Sequence, residues 1–195
     1  FLLKKPLGVI FDVDTSAAIY DESPVVMVVN HQGLYDIITC GYFLPIRSAA
    51  LAKLSLGYIP VWGQMFMWGG NVMVNRKSAE DRKRAMDDMR STLLDKKASL
   101  FIFPEGTRNS NNELLDFRMG AFITAYKNKV PVQPVVISSY VQFKDLKKWK
   151  SHISCKVLPP VELHHLEKSG LDEAVANIRA DMQREKDLLN EKLSR

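Results

Sequence analysis

A histidine and an aspartate five residues apart are the first side chains in this sequence that are suited to acid–base chemistry. His31 and Asp36 follow the apolar run 24–29, which predicts a buried strand with His31 at its end. A carboxylate within hydrogen-bond reach fixes the tautomer of an imidazole and stabilises its protonated form. On a regular helix the two would point about 140° apart, so the pairing needs a non-helical start, which Gly33 permits. The alternative is a turn at Asn30 followed by a solvated aspartate.

A second polar segment follows another predicted strand and has the composition of an anion site. Gly106 allows main-chain amides to approach a ligand closely, and the guanidinium of Arg108 matches the geometry of a phosphate. Glu105 would repel a phosphate placed against it, so we expect it to orient Arg108 or to accept a hydrogen bond from a substrate hydroxyl. The alternative is a structural salt bridge between Glu105 and Arg108.

Arg76 stands at the end of a further short predicted strand, 70–75. Ligands of α/β sheets collect beyond the carboxyl ends of the strands. His31, Arg76 and Arg108 are therefore expected to share one rim of a sheet.

Apolar runs that alternate with amphipathic segments predict the scaffold. Strands are expected at 7–13, 24–29, 49–53, 99–103, 130–137 and 154–158, and helices at 34–44, 78–97, 120–127 and 171–193. Ser78 with Asp81 predicts the N-cap of the second helix. Pro131 and Pro134 predict that strand 130–137 lies at a margin of the sheet or carries a bulge. The alternation predicts an α/β fold.

Composition favours one globular domain, 1–195, since 46% of its 195 residues are hydrophobic and 25% are charged. The net charge of +5 favours phosphorylated metabolites, acidic membrane surfaces or nucleic acid as partners. Cys40 and Cys155 lie in no metal-binding or disulfide spacing, so a reducing compartment is expected. No apolar run is long enough to cross a bilayer as a simple helix. Because the chain begins at Phe1, we expect a piece of a longer protein.

The segment 54–70 is unusually rich in large apolar side chains. One interpretation is core packing. The other is an acyl-chain pocket or a membrane-interface patch, because Trp and Met suit irregular apolar ligands and the headgroup region. The basic triplet 82–84 is likewise either a solvated helix face or a site of attraction to a lipid surface.

Four segments in order resemble the motifs of the glycerolipid acyltransferases, in particular the 1-acyl-glycerol-3-phosphate acyltransferases. They are NHQGLYD at 30–36, GNVMVNR at 70–76, FPEGTRN at 103–109 and VPVQPVVI at 130–137.

Two further segments, 115–122 and 138–140, are also similar to that branch of the family. Two positions depart from its pattern. Gly33 stands where serine is frequent, and Met73 stands where phenylalanine is usual.

The resemblance implies a mixed, largely parallel central sheet flanked by helices. It also implies transfer of an acyl chain from acyl-CoA to the free sn-2 hydroxyl of lysophosphatidic acid, which forms phosphatidic acid in phospholipid biosynthesis. His31 is then the general base and Asp36 its partner. The residues implied to shape the phosphate and glycerol site are Arg76, Glu105, Gly106, Thr107 and Arg108.

This chemistry needs no protein nucleophile, because a thioester is already activated. The sequence contains no G-x-S-x-G elbow, Walker A loop, G-x-G-x-x-G fingerprint or H-E-x-x-H motif. We therefore expect neither a cofactor nor a metal, and acyl-CoA enters as a co-substrate.

Members of the family commonly carry membrane-embedded helices before this region. The resemblance therefore implies a domain that lacks its N-terminal anchor, binds a membrane surface and resides at the endoplasmic reticulum.

Three other functions stay open: an acyltransferase for another lysophospholipid, an acyl-CoA hydrolase with water as acceptor, and a non-catalytic module that binds lipid surfaces. The basic segment 144–150, which contains Trp149, is compatible with the last. No nucleic-acid-binding motif is recognisable, so nucleic acid is not an expected partner.

Overall fold

The computed structural model describes residues 9–19, 23–33, 35–75, 78–140 and 151–194. Its seven strands are β1 Val9–Asp14, β2 Val26–Val29, β3 Ser48–Lys53, β4 Val72–Val74, β5 Ser99–Ile102, β6 Val132–Ile137 and β7 Ser151–Val157. They form one sheet in the order β1-β7-β6-β2-β5-β3-β4. The five strands from β2 to β6 run parallel, and β7 is antiparallel to β6 and parallel to β1. The predicted mixed, largely parallel sheet is confirmed.

Five α-helices accompany the sheet in the described part of the chain: α1 Tyr35–Cys40, α2 Trp62–Trp68, α3 Ala79–Leu94, α4 Gly120–Asn128 and α5 Leu171–Ser194. Short 3-10 helices lie at Leu54–Tyr58 and Lys168–Gly170. The predicted cap of α3 is present, since Ser78 Oγ accepts a hydrogen bond from the N–H of Asp81 at 3.0 Å. The basic segment 144–150, predicted as a loop or short helix, lies outside the described residues. Among those that are described, no helix is both long enough and apolar enough to cross a bilayer.

The centre of the sheet is buried on both faces, as the continuous apolar run of β2 requires. Val26 and Val28 pack into one hydrophobic cluster with residues of α3, α4 and α5. Met27 and Val29 point to the other face and pack with residues of α1 and β7. The ends of β2 and β5 are therefore held rigidly on two sides.

Of the two predictions for strand 130–137, the margin is wrong, because β6 lies inside the sheet between β7 and β2. The alternative of a bulge agrees better with the structure, because the pairing beside Pro134 is offset by one residue. Pro134 is tolerated because its missing N–H lies beyond the end of β7, where the register shifts between the Val135–Val157 pair and the Val132–Val161 bridge. The N–H of Leu158 still donates to Pro134 O at 2.9 Å. Leu158 O, the acceptor that a residue with an N–H would use, instead accepts from the side-chain amide of Gln133. A side chain thus replaces the ladder bond that proline cannot make.

Two of the predicted functional loops leave the same edge of the sheet. Val28 of β2 is in register with Ile102 of β5, and the strands are parallel. The segments 30–36 and 103–109 therefore begin side by side. This arrangement supports the shared rim expected for His31 and Arg108, whereas Arg76 lies outside the described residues.

Candidate active site

His31 and Asp36 form a close pair just beyond the end of β2. His31 Nδ1 lies 2.6 Å from Asp36 Oδ2. The same oxygen accepts hydrogen bonds from the backbone N–H groups of Gln32 at 2.6 Å and Gly33 at 2.8 Å. Because Oδ2 acts as an acceptor, Nδ1 is the protonated ring nitrogen, and Nε2 is left to take up a proton.

The segment between His31 and Asp36 has the non-helical start that their five-residue spacing requires. Residues 30–33 are non-helical and α1 begins only at Tyr35, so Asp36 in the first turn of α1 can reach back to His31. Asp36 is completely buried, whereas the side chain of His31 is 16% exposed. The alternative of a solvated aspartate is therefore wrong.

The imidazole ring of His31 is held by a neighbouring aromatic ring. Phe103, directly after β5, stacks on it with centroids 3.8 Å apart and planes 14° from parallel. The N–H of Asn109 donates to His31 O at 2.7 Å. At the start of the loop, Asn30 exchanges two side-chain hydrogen bonds with the backbone of Ile137 in β6. Three strands thus fix one histidine.

Glu105 organises the loops and does not orient Arg108. Its side chain is 3% exposed, and Oε1 accepts from the N–H of His31 at 3.1 Å. Oε2 accepts from Asn109 Nδ2 and from the N–H of Leu115, both at 3.0 Å. No ion pair joins Glu105 to Arg108 in the part of the chain that the structure describes. Neither the expected orienting role nor the alternative salt bridge is seen, and burial disfavours a contact between Glu105 and a substrate hydroxyl.

The remaining predicted binding residues are placed differently from Glu105. Thr107 and Arg108 are exposed, and Gly106 has φ of 71°, a conformation that favours glycine. All three line the same cavity as His31. Their contacts with a substrate stay predictions, as does the role of Arg76.

The cavity beside His31 has a volume of about 550 Å³ and apolar walls. This is within the range of small-molecule sites in proteins. Its apolar lining includes Ile37, Leu44, Ala50, Leu56, Phe66, Phe101 and Phe103.

A second cavity, of about 340 Å³, lies on the α3 side of the sheet. It is lined by Val74, Met86 and Met89, with Arg82 and Arg118 also contributing. Leu51, Ile102 and Phe103 line both cavities.

The large apolar side chains of segment 54–70 fall into two groups, those that line a cavity and those that are exposed. Leu56 and Phe66 line the cavity of His31. The other large apolar residues with described side chains are mostly exposed, and we call them the apolar patch. Its members are Tyr58, Ile59, Val61, Met65, Met67 and Trp68.

The apolar patch rests on a close backbone contact between α2 and the preceding 3-10 helix. A Cβ added to Gly63 would lie 2.3 Å from Gly57 O, so only glycine allows the two segments to approach this far. Because the two backbones are in contact, there is no room between the segments for the side chains of the apolar patch, which stay exposed.

The long C-terminal helix supports the loops from behind, which the sequence did not indicate. Lys186 on α5 is buried, and Nζ donates to Asn111 O at 3.0 Å and to Asn112 O at 2.8 Å. Burial lowers the pKa of Lys186, while the charges of Glu105 and other acidic groups act in the opposite direction. A buried lysine in a charged amphipathic segment leaves no signal in the sequence. Phe103 and Asn109, by contrast, lie inside a recognised motif, although their contacts with His31 were not predicted.

Comparison with known proteins gives a consistent result. The acyltransferase family model matches residues 10–138. The chain is 29% identical over 174 residues to a 1-acyl-sn-glycerol-3-phosphate acyltransferase of Haemophilus influenzae, covering 89% of this chain and 72% of that protein. It is 34% identical over 141 residues to the human 1-acyl-sn-glycerol-3-phosphate acyltransferase beta, covering 72% of this chain but 51% of the human protein.

The fold also matches a solved structure, the 1-acyl-sn-glycerophosphate (LPA) acyltransferase PlsC from Thermotoga maritima. The TM-score is 0.71 at 23% sequence identity, over 92% of this chain and 73% of that one. The structural match supports the fold, and the family model and the sequence relatives confirm the resemblance drawn from the four motifs. The chain belongs to the acyltransferase family.

Proposed function

We propose that this domain transfers an acyl chain from acyl-CoA to the sn-2 hydroxyl of 1-acyl-glycerol-3-phosphate, forming phosphatidic acid. The observation that supports this most is the position of the His31 and Asp36 pair beside an apolar cavity that Arg108 also lines. A base, an acyl-sized apolar space and a cation for phosphate then meet at one edge of the sheet. The named activity of the relatives supports the same acceptor.

In the proposed reaction, His31 Nε2 accepts the proton of the acceptor hydroxyl as the hydroxyl oxygen attacks the thioester carbonyl carbon. Asp36, which holds Nδ1–H, stabilises the imidazolium that forms. The tetrahedral oxyanion collapses, the carbon–sulfur bond breaks, and the departing CoA thiolate takes the proton from His31. The acceptor hydroxyl thus plays the part of a nucleophilic serine, and no acyl-enzyme is formed.

The test is a transfer assay with acyl-CoA and lysophosphatidic acid in lipid, on the full chain and its variants. His31→Ala should lower formation of phosphatidic acid by about 10²- to 10⁴-fold, the usual contribution of a general base. His165→Ala, which removes an exposed histidine, should leave the rate unchanged. Near-normal turnover by folded His31→Ala would contradict the proposal. Release of free fatty acid in place of phosphatidic acid would identify a hydrolase.

We also propose that the apolar patch contacts a membrane surface, and that this membrane is the endoplasmic reticulum. Trp68 is 83% exposed and Met65 is 66% exposed, a costly arrangement in water. The same segment supplies Leu56 and Phe66 to the cavity wall. A lysolipid leaving a bilayer would therefore meet the patch directly beside the cavity.

A further inference from the structure

Asp36 uses only one of its two carboxylate oxygens in the described structure. Oδ2 accepts from His31, Gln32 and Gly33. Oδ1 is buried and has no hydrogen-bond partner among the described residues. A buried carboxylate oxygen without a donor is energetically unfavourable.

The hydroxyl of Tyr140 is another buried polar group that lacks a partner among the described residues. The rest of the Tyr140 side chain is buried as well. Burial raises the pKa of Tyr140, and the negative charge of Asp36 raises it further. The phenol therefore keeps its proton at neutral pH. Gly33 lies beside both groups, because its N–H donates to Asp36 Oδ2 at 2.8 Å and its Cα is next to the Tyr140 hydroxyl, so the phenol is a donor near an acceptor.

The phenol ring is well positioned for such a contact. It meets the ring of Tyr35 edge-on, with centroids 5.6 Å apart. The preceding residue, Ser139, donates its N–H to Asn190 Oδ1 of α5 at 2.7 Å. The segment after β6 is thus anchored to both α1 and α5.

The absence of a side chain at Gly33 leaves room for the hydroxyl of Tyr140. A Cβ at this position would lie 2.9 Å from Tyr140 Oη, closer than side chains normally allow. A side chain at position 33 would therefore displace the hydroxyl of Tyr140. In this chain the hydroxyl of Tyr140 occupies the space that a side chain at position 33 would take.

We propose that Tyr140 is a positioning residue, whose hydroxyl donates to Asp36 Oδ1 and thereby holds the carboxylate that orients His31. The inference rests on the proposed role of the His31 and Asp36 pair. Gln32 Oε1 is another buried atom without a partner in the described chain. We favour Asp36 because an anionic acceptor forms the stronger hydrogen bond and because its charge acts on Tyr140.

The first test is Tyr140→Phe in the full chain, which keeps the ring and removes the donor. We expect kcat for acyl transfer to fall about tenfold with little change in the KM of acyl-CoA, as expected for one lost hydrogen bond to a charged group. The proton NMR resonance of His31 Nδ1–H should also shift, because its acceptor has lost a donor. Tyr35→Phe, the same change on the adjoining ring, should alter neither quantity.

The second test uses the space beside Gly33. Gly33→Ala should displace the Tyr140 hydroxyl and lower kcat by a similar factor. In the Tyr140→Phe background the same change should cost less than about twofold, because the added Cβ would then meet ring carbons at 3.8 and 3.9 Å.

Two results would overturn the inference while leaving the proposed function intact. One is a Tyr140→Phe protein with unchanged kcat and an unmoved Nδ1–H resonance, beside an inactive His31→Ala. The other is full additivity of Gly33→Ala and Tyr140→Phe. An active His31→Ala would instead contradict the proposed function itself.

Discussion

The backbone N–H of His31 donates a hydrogen bond to Oε1 of Glu105, 3.1 Å away. This bond joins the loop that follows β2 to the loop that follows β5. Because Glu105 Oε2 holds Asn109 and Leu115 as well, one buried carboxylate sets the relative position of the proposed base and the proposed phosphate-binding loop.

Glu105→Gln should therefore lower both stability and activity. A glutamine presents an N–H₂ group where the glutamate accepts, so at least one of the three donors is left buried without an acceptor. We expect the free energy of unfolding to fall by about 2–3 kcal/mol, as measured by urea denaturation, together with a large loss of kcat. Glu113→Gln, an exposed carboxylate in the same loop, should change stability by less than about 0.5 kcal/mol. Equal effects at both positions would argue against the organising role of Glu105.

Arg108→Gln should weaken the binding of the acceptor and spare that of the donor. If Arg108 grips the phosphate of lysophosphatidic acid, its loss should raise the KM of this substrate about 10- to 100-fold, the value of a charge-assisted hydrogen bond. The measurement is steady-state transfer with each substrate varied in turn. A monoacylglycerol acceptor, which has no phosphate, should show no such change.

The matched control for Arg108 is Arg90→Gln on the exposed face of α3. It removes the same charge from the chain but lies outside the lining of the cavity. A rise of KM in both variants would indicate a general effect of net charge and not a phosphate site.

Contacts between residues close together in the sequence were easier to predict than contacts between residues far apart in the sequence. The His31 and Asp36 pair lies within one short segment, so residue types and a five-residue spacing were enough to propose it, although a solvated aspartate stayed open as the alternative. The contacts of Glu105 were not predicted, because they include a hydrogen bond from His31, which is 74 positions away. Its neighbour in sequence, Arg108, offered the more obvious but incorrect partner.

The wrong prediction about the fold, a marginal position for Pro134, also arose from a contact that local sequence rules do not consider. Local rules placed Pro134 at a sheet margin, yet the side chain of Gln133 supplies the missing donor to Leu158. Tyr140 was recognised only as part of a similar segment, since its proximity to Gly33 exists only after β6 has docked beside β2. Alternation and strand length, which are local, predicted the α/β class correctly.

The apolar patch predicts a measurable affinity for bilayers. Trp68→Glu should lower co-sedimentation with phosphatidylcholine vesicles by about 10-fold or more, because a fully buried large apolar side chain contributes about 1.5–3 kcal/mol. Zwitterionic vesicles are chosen so that the net charge of +5 contributes little. Leu188→Glu changes a residue that is 52% exposed on α5 and should leave binding unaltered. Unchanged binding by Trp68→Glu would remove the patch from the proposed membrane contact.

Substitutions that narrow one cavity or the other can show which of the two holds the acyl chain. Ala50 on β3 lines the cavity of His31, so Ala50→Phe should shorten the space available to the chain. Each methylene kept out of the cavity forfeits about 0.8 kcal/mol, so kcat/KM should fall about tenfold or more for long-chain acyl-CoA. It should change by less than about twofold for short chains, which still fit. Met86→Phe narrows the cavity on the α3 side in the same way. A change of chain preference in that variant alone would place the acyl chain in the α3-side cavity.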